Sequence, residues 1–406
     1  MNRIITFTCI VTLSFISQVY SQNEIRIWNN TPPYRCPFEQ SSDFSAVGFT
    51  GRIYTGGNAD TFYPSWGKDG NLYSCFTDGS VDGVSVYSFG EIDSRIGYLT
   101  IVGNHPKDLK FKDHGVLTHR TAPYRGRYPS ANLVFDNNWY IGTYSLDPGY
   151  MANFGILGGF VGFHVSTDLG KTWEICPHTP DKPLFGETGK DENYYVKIGA
   201  PHFVDFGKNM EYSPDGKAYL VAHGSTLPDK MPRHPNNSWI TGDKIFLCRV
   251  SPHPDKVNDM SAYEYFAGMD ENGNEIWTND FEKIQPIAEW NNNMGCVTMT
   301  YNAPLKKYIM CVTDGQTTWS RYNSYILESE SMTGPWKMVS YMKDFGEMAY
   351  FLNIPSKFIS KDGKTMWLCY STNWINVWQG KEIYTSDPKG GSYSMTMAEI
   401  KLMDTE

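Results

Sequence analysis

The sequence predicts an all-β chain folded as a single-domain, five-bladed β-propeller, and three observations carry that prediction. No long segment places apolar residues at i, i+3, i+4 and i+7, which nearly excludes helices. Short runs rich in Tyr, Phe, Val and Ile alternate with Gly, Asn, Asp and Pro along the chain, the pattern of strands and turns. A weak strand–turn–strand unit recurs five times.

The copies are Phe62–Gly79, Tyr128–Asp147, Pro201–Ser225, Val297–Gly315 and Ile354–Thr372. Their turns fall at Asp69-Gly70, Asn137-Asn138, Asp215-Gly216, Ala303-Pro304 and Asp362-Gly363. Most of these pairs favour tight hairpins because Gly and Asn tolerate positive φ. Successive copies start 66, 73, 96 and 57 residues apart. A four-stranded blade needs about 40–50 residues plus loops, so five blades fill the chain. Radial repetition leaves few open sheet edges. The widest interval is expected to hold a large loop, Leu227–Gly242, and Tyr393–Met403 to form the last outer strand. Ser166–Trp173, STDLGKTW, resembles the Asp-box turn of sialidase-type propellers, a structural element away from their active face. No linker, low-complexity tract or long charge run divides the chain.

Residues 1–21 read as a secretory signal: Arg3, an apolar run from Ile4 to Ile16, then Val19 and Ser21 before Gln22. The expectation is a domain of residues 22–406, secreted or periplasmic. Cys9 lies inside the apolar run and no later segment has 18 apolar residues in succession, so no membrane anchor is expected. A formal net charge of −9 argues against a nucleic-acid partner. Of 8 cysteines, Cys9 belongs to the signal and the rest lack any C-x-x-C pair, which disfavours a thiolate zinc site. Cys75, Cys248, Cys311 and Cys369 read as buried thiols, with one disulfide left open. Nucleotide-loop, zinc-protease and serine-hydrolase motifs do not occur.

The inner strands of a propeller line a central funnel, and the residues at their entry crowd one face, where a small ligand binds. Here the entry residues are Asp60, Arg127 with Tyr128, Lys197 to His202, Asn291 to Met294, and Glu347 to Asn353. That is more polar than a structural funnel needs. The segment Asn58–Trp66, followed by Asp69-Gly70 and Tyr73, resembles the first blade of five-bladed propeller glycoside hydrolases, the β-xylosidase/α-L-arabinofuranosidase group and its agar-oligosaccharide relatives. Gly334-Pro335-Trp336 is similar to their blade ends. The resemblance implies a carbohydrate-active enzyme acting on plant or algal cell-wall oligosaccharides, neutral or acidic, with Asp60 as general base or nucleophile. Those hydrolases carry a second Asp in blade 2 and a Glu acid in blade 3, where this chain has Arg127-Tyr128 and Gly199-Ala200-Pro201-His202. His202, Glu347 or Glu289 is then left as the acid.

A lyase or dehydratase reading stays open beside it. β-Elimination at a uronic acid needs a base and a cation on the carboxylate, and His202, His223, Tyr128, Arg127 and Lys197 are the right types. A non-catalytic sugar-binding module is the third reading. Trp66, Trp374 and Asn353 complete the expected substrate contacts, the two indoles as sugar platforms. Asp78 and Asp314, each in Thr-Asp-Gly, read as turn residues, and Asp270–Glu275 as a hairpin loop without calcium-loop spacing. No cofactor or metal is called for, and a structural Ca²⁺ in the funnel is left open.

Overall fold

The computed structural model describes residues 25–90, 92–147, 156–190, 195–227, 238–315, 321–372 and 387–405. Among them the strands gather into five antiparallel sheets. Blade 1 runs outward from Asn58–Asp60 and Ser65–Trp66 through Leu72–Val81 and Asp93–Val102 to Lys110–Arg120. Blade 2 holds Gly126–Phe135, Asn138–Asp147 and Ile156–Ser166. Blade 3 holds His202–Phe203, Ala218–Gly224, Lys244–Val250 and Glu264–Met269, and blade 4 holds Val297–Asn302, Lys307–Asp314, Asn323–Ser329 and Lys337–Met342. Blade 5 holds Tyr350–Asn353, Thr365–Ser371, Met395–Asp404 and Phe44–Gly56, with Arg26–Trp28 on its edge. The inner region of each blade touches the next, and blade 5 touches blade 1, so the ring closes.

The repeated unit is the inner hairpin of each blade. Its turns use left-handed residues at Gly70, Gly216 and Gly363, and at Asp136 and Lys306 where no glycine is offered. The fifth copy starts four residues earlier than the sequence pattern indicates, because Pro355 cannot donate to a ladder and ends the inner strand at Asn353.

The expected last outer strand needs correcting. Met395–Asp404 is the third strand of blade 5, and the fourth is Phe44–Gly56 from the start of the chain. Ring closure therefore joins the two ends of the chain by backbone pairing. Phe44, Val47 and Phe49 bury their side chains there, Phe49 against Trp28 and Phe345. Phe49→Ala is expected to cost about 3–5 kcal/mol, read as a lower denaturation midpoint.

Side-chain amides and hydroxyls tie the inner strands to one another. Asn132 donates to the carbonyls of Tyr63 and Tyr73, joining blades 2 and 1. Thr298 and Thr300 donate to Leu352 and Ile354, joining blades 4 and 5. The Asp205 carboxylate accepts from Gly207 N, Ser356 N and Ser356 Oγ, joining blades 3 and 5. Each bond satisfies a polar group that burial would otherwise leave unpaired. The Asp-box stretch behaves as a turn: Asp168 accepts from Thr172 N and Oγ1, and Trp173 packs on Tyr98 and Trp139 between blades 1 and 2. The described cysteines Cys36, Cys75, Cys176, Cys248, Cys296, Cys311 and Cys369 are all free thiols.

Candidate active site

Asp60 ends the first inner strand at the entry of the funnel and is only 6% exposed. Its Oδ2 accepts from the Tyr350 hydroxyl at 2.7 Å, and its Oδ1 has no partner. Thr61, next in the chain, has φ of 59°. A β-branched residue in that region is strained, and such strain concentrates at functional sites. Burial, then the charge of Asp78, push the Asp60 carboxyl well above the usual carboxylate range.

Asp78 is the carboxyl that sequence reasoning missed. It sits near the end of the second strand of blade 1 with φ of 47°, and its Oδ1 accepts from Ser88 N at 2.7 Å. Burial pushes it up to about 6, against the Ser88 hydrogen bond that lowers it. Five phenols surround the pair: Tyr63, Tyr128, Tyr144, Tyr350 and Tyr393, all buried. Tyr393 donates to the Asp78 carbonyl, and Tyr128 lies 5.8 Å from Tyr144, ring to ring. Loss of water raises every one of these hydroxyls, so all are neutral donors at pH 7.

Across the axis, His202 packs edge-on against Tyr63 at 4.3 Å and tilts toward Phe351 at 6.0 Å. Trp239 roofs this group, 5.3 Å from Tyr350 and 5.7 Å from Phe351. His223 Nε2 donates to Ser238 O, so its Nδ1 is a bare lone pair, and that atom has no partner. Burial lowers His202 to about 3 and His223 to about 4, with His223 adding to the fall at His202. Burial thus favours the neutral form of both imidazoles at physiological pH, which weighs against His202 as the acid. The same burial favours the protonated form of Asp60, the group expected as the base.

Below His202 the axis narrows to a cavity of about 50 Å³, lined by residues of all five inner strands, among them Ser65, Asn132, His202, Thr298 and Asn353. That holds a few waters. Asn353 donates to the carbonyls of Phe62 and Phe351 and so acts within the wall. Among the described residues no three His, Cys, Asp or Glu side chains group closely enough to hold a metal ion.

The other expected contacts disperse. Arg127 is buried, but its Nε donates to Thr143 Oγ1 and its guanidinium lies beside Cys176 in the blade 1–blade 2 interface. Neighbours along a strand point to opposite faces, so Tyr128 reaches the acid pair and Arg127 does not. Lys197 pairs with Glu282 at 3.2 Å over the Phe281 ring. Trp66 pairs with Leu72 at the far end of its strand, packed against the core between blades 1 and 5. Trp374 lies outside the described residues.

Fold and site together define a five-bladed propeller with a buried acid pair set among aromatic side chains at the entry of its axis. No protein-family model matches the chain, and no curated protein does. Among solved structures it is similar to a Bacteroides ovatus protein, with 13% identity, 96% of this chain and 97% of that one covered, and a TM-score of 0.49. It is also similar to the α-L-arabinofuranosidase of Podospora anserina (10% identity, 93% and 97% covered, TM-score 0.42). A third is the family 117 glycoside hydrolase of Zobellia galactanivorans (12%, 94% and 91% covered, TM-score 0.41). At these scores the likenesses carry no argument about chemistry, which the side chains must supply.

Proposed function

We propose that this protein is a glycoside hydrolase acting on plant or algal cell-wall oligosaccharides outside the cytoplasm, without a cofactor. One observation carries the reading: two interacting buried carboxyls, Asp60 and Asp78, both held above the ordinary range among tyrosines and near unpartnered polar atoms. Glycosidic cleavage needs one protonated carboxyl for the leaving oxygen and one ionised carboxyl opposite. Asp78 ionises above about 6, and its charge helps to hold the Asp60 carboxyl protonated, which would provide both. Asp60 is the acid in this reading, and Asp78 the carboxylate.

The unpartnered atoms are Asp60 Oδ1, Tyr63 Oη, His202 Nε2 and His223 Nδ1. They mix donors and acceptors, which suits the hydroxyls of a sugar. Buried polar groups without partners are costly, and a bound ligand supplies the missing bonds. The elimination reading loses support because the Arg127 guanidinium lies in the blade 1–blade 2 interface beside Cys176 and Lys197 pairs with Glu282, both away from the acid pair. The test is to incubate the protein with neutral and acidic cell-wall oligosaccharides and follow mass and ultraviolet absorbance. Uptake of water without new absorbance supports hydrolysis. Unsaturated products overturn it in favour of elimination, and binding without turnover in favour of a sugar-binding module.

A further inference from the structure

Beside the acid pair, the chain presents an apolar row to solvent that folding does not account for. Val84–Val86 adds a short strand to the second strand of blade 1, and the chain then crosses the entry face toward blade 2. Val86 and Ser88 point inward and are buried, whereas Tyr87 is 57% exposed, Phe89 40% and, past a bend, Ile92 71%. Scattered exposed apolar residues are ordinary; three within six positions are not.

The backbone of Tyr87–Gly90 and of Ile92 is held by hydrogen bonds. Tyr87 O accepts from Arg95 N, Ser88 O from Arg127 N, and Ile92 O from Thr121 N. Gly90 N donates to Arg125 O, and Gly90 O accepts from Thr121 Oγ1. A Cβ at Gly90 would stand 2.2 Å from Asp93 O, so the bend admits only glycine. The segment is also tied to the acid pair: Ser88 N holds Asp78, and Ser88 Oγ bonds Thr77 Oγ1. Rings on a rigid backbone lose little entropy when a ligand settles on them.

We propose that Tyr87, Phe89 and Ile92 form a platform for the continuation of a carbohydrate chain whose reacting end meets Asp60 at the entry of the axis. The inference rests on the hydrolase reading and deepens it, since it makes the substrate a chain that runs past the acid pair. A sugar ring offers an apolar C–H face to a phenyl or phenol ring and hydroxyls at its rim. The rim here carries the paired charges of Arg125 and Asp147, 3.1 Å apart, a donor and an acceptor side by side. That suits hydroxyls. Three side chains also cover only a fraction of the roughly 800 Å² per partner that a stable protein interface needs.

The experiment uses the full chain and a graded series of xylan-, arabinan- and agar-derived oligosaccharides. Tyr87→Ala with Phe89→Ala is expected to raise KM for the longest cleaved oligosaccharide about 10-fold, the worth of two ring contacts. Turnover of the shortest should stay unchanged, and Tyr87→Phe should behave as wild type. If the double variant handles long and short chains as wild type does, the platform is overturned and the hydrolase reading stands. If nothing in the series is cleaved, the hydrolase reading fails, and direct binding of the parent polysaccharides to the Asp60→Asn protein decides the platform. Binding that disappears with the two rings supports it; binding that survives their loss, or no binding at all, overturns it.

Discussion

Asp60→Asn should lower kcat on the best oligosaccharide by about 10³-fold, within the range that removing a general acid or base costs, while KM stays close to wild type. Asparagine keeps the shape of the side chain and can still accept from the Tyr350 hydroxyl that Asp60 holds at 2.7 Å. What it lacks is the transferable proton. Activity should rise with pH through about 6 as Asp78 ionises, then fall where Asp60, raised further by burial and by that same charge, gives up its proton. Asp78→Asn removes the ionised carboxylate, so it should lower kcat as steeply, and the residual activity should lack the rising limb. It should also lower the falling one, because the neighbouring charge that keeps Asp60 protonated is gone. A turnover for Asp60→Asn within a few-fold of wild type would sink the acid assignment.

The repeat was legible because an inner hairpin is local: strand, turn and strand lie within one short stretch, and Asp-Gly announces the turn. Asp60 was legible for the same reason, at a fixed place before the first hairpin. Asp78 was not. Thr77-Asp78-Gly79 follows the grammar of a turn, and only the fold shows a left-handed Asp78 inside a strand with its carboxyl on Ser88. Tyr144, Tyr350 and Tyr393 reach the site from blades 2 and 5, and nothing in their sequence neighbourhood distinguishes them from other strand tyrosines. The pairing of Phe44–Gly56 with Met395–Asp404 joins segments some 350 residues apart, beyond any local pattern. The sequence pointed to Arg127 and Tyr128 as one pair, yet strand alternation guarantees that adjacent residues cannot share a pocket.

Each of four buried imidazoles should make the fold less stable as pH drops below 6.5, against buried carboxyls that work the other way. His119, His164, His202 and His223 are buried, and all four titrate below their ordinary value of 6.5, mainly because burial disfavours the charged ring. For two of them the hydrogen bonds dictate neutrality. Cys176 N donates to His164 Nδ1, so His164 Nε2 carries the proton and donates to His119 Nδ1. His119 Nε2 then donates to Arg127 O. A second proton on either ring would break this relay beside the Arg127 cation. Between about 4 and 6.5 the unfolded chain therefore binds protons that the folded chain refuses, and stability is lost as pH falls through that window. Each imidazole contributes a slope of about 1.4 kcal/mol per pH unit. Asp60, Asp78, Asp205, Asp314 and Glu187, all raised chiefly by burial, act in the opposite sense. Their raised values mean that the folded chain holds protons the unfolded chain releases, so they lower stability as pH rises from the ordinary carboxylate values of 3.8 and 4.5 toward 6. Denaturant titrations across pH 4–6.5 separate the two. His223→Asn should flatten the slope by one imidazole whatever its constant cost to the fold, whereas Asp60→Asn should steepen it. Equal slopes for wild type and His223→Asn would mean that His223 is charged in the fold, and its bare Nδ1 would lose its standing as an acceptor for the substrate.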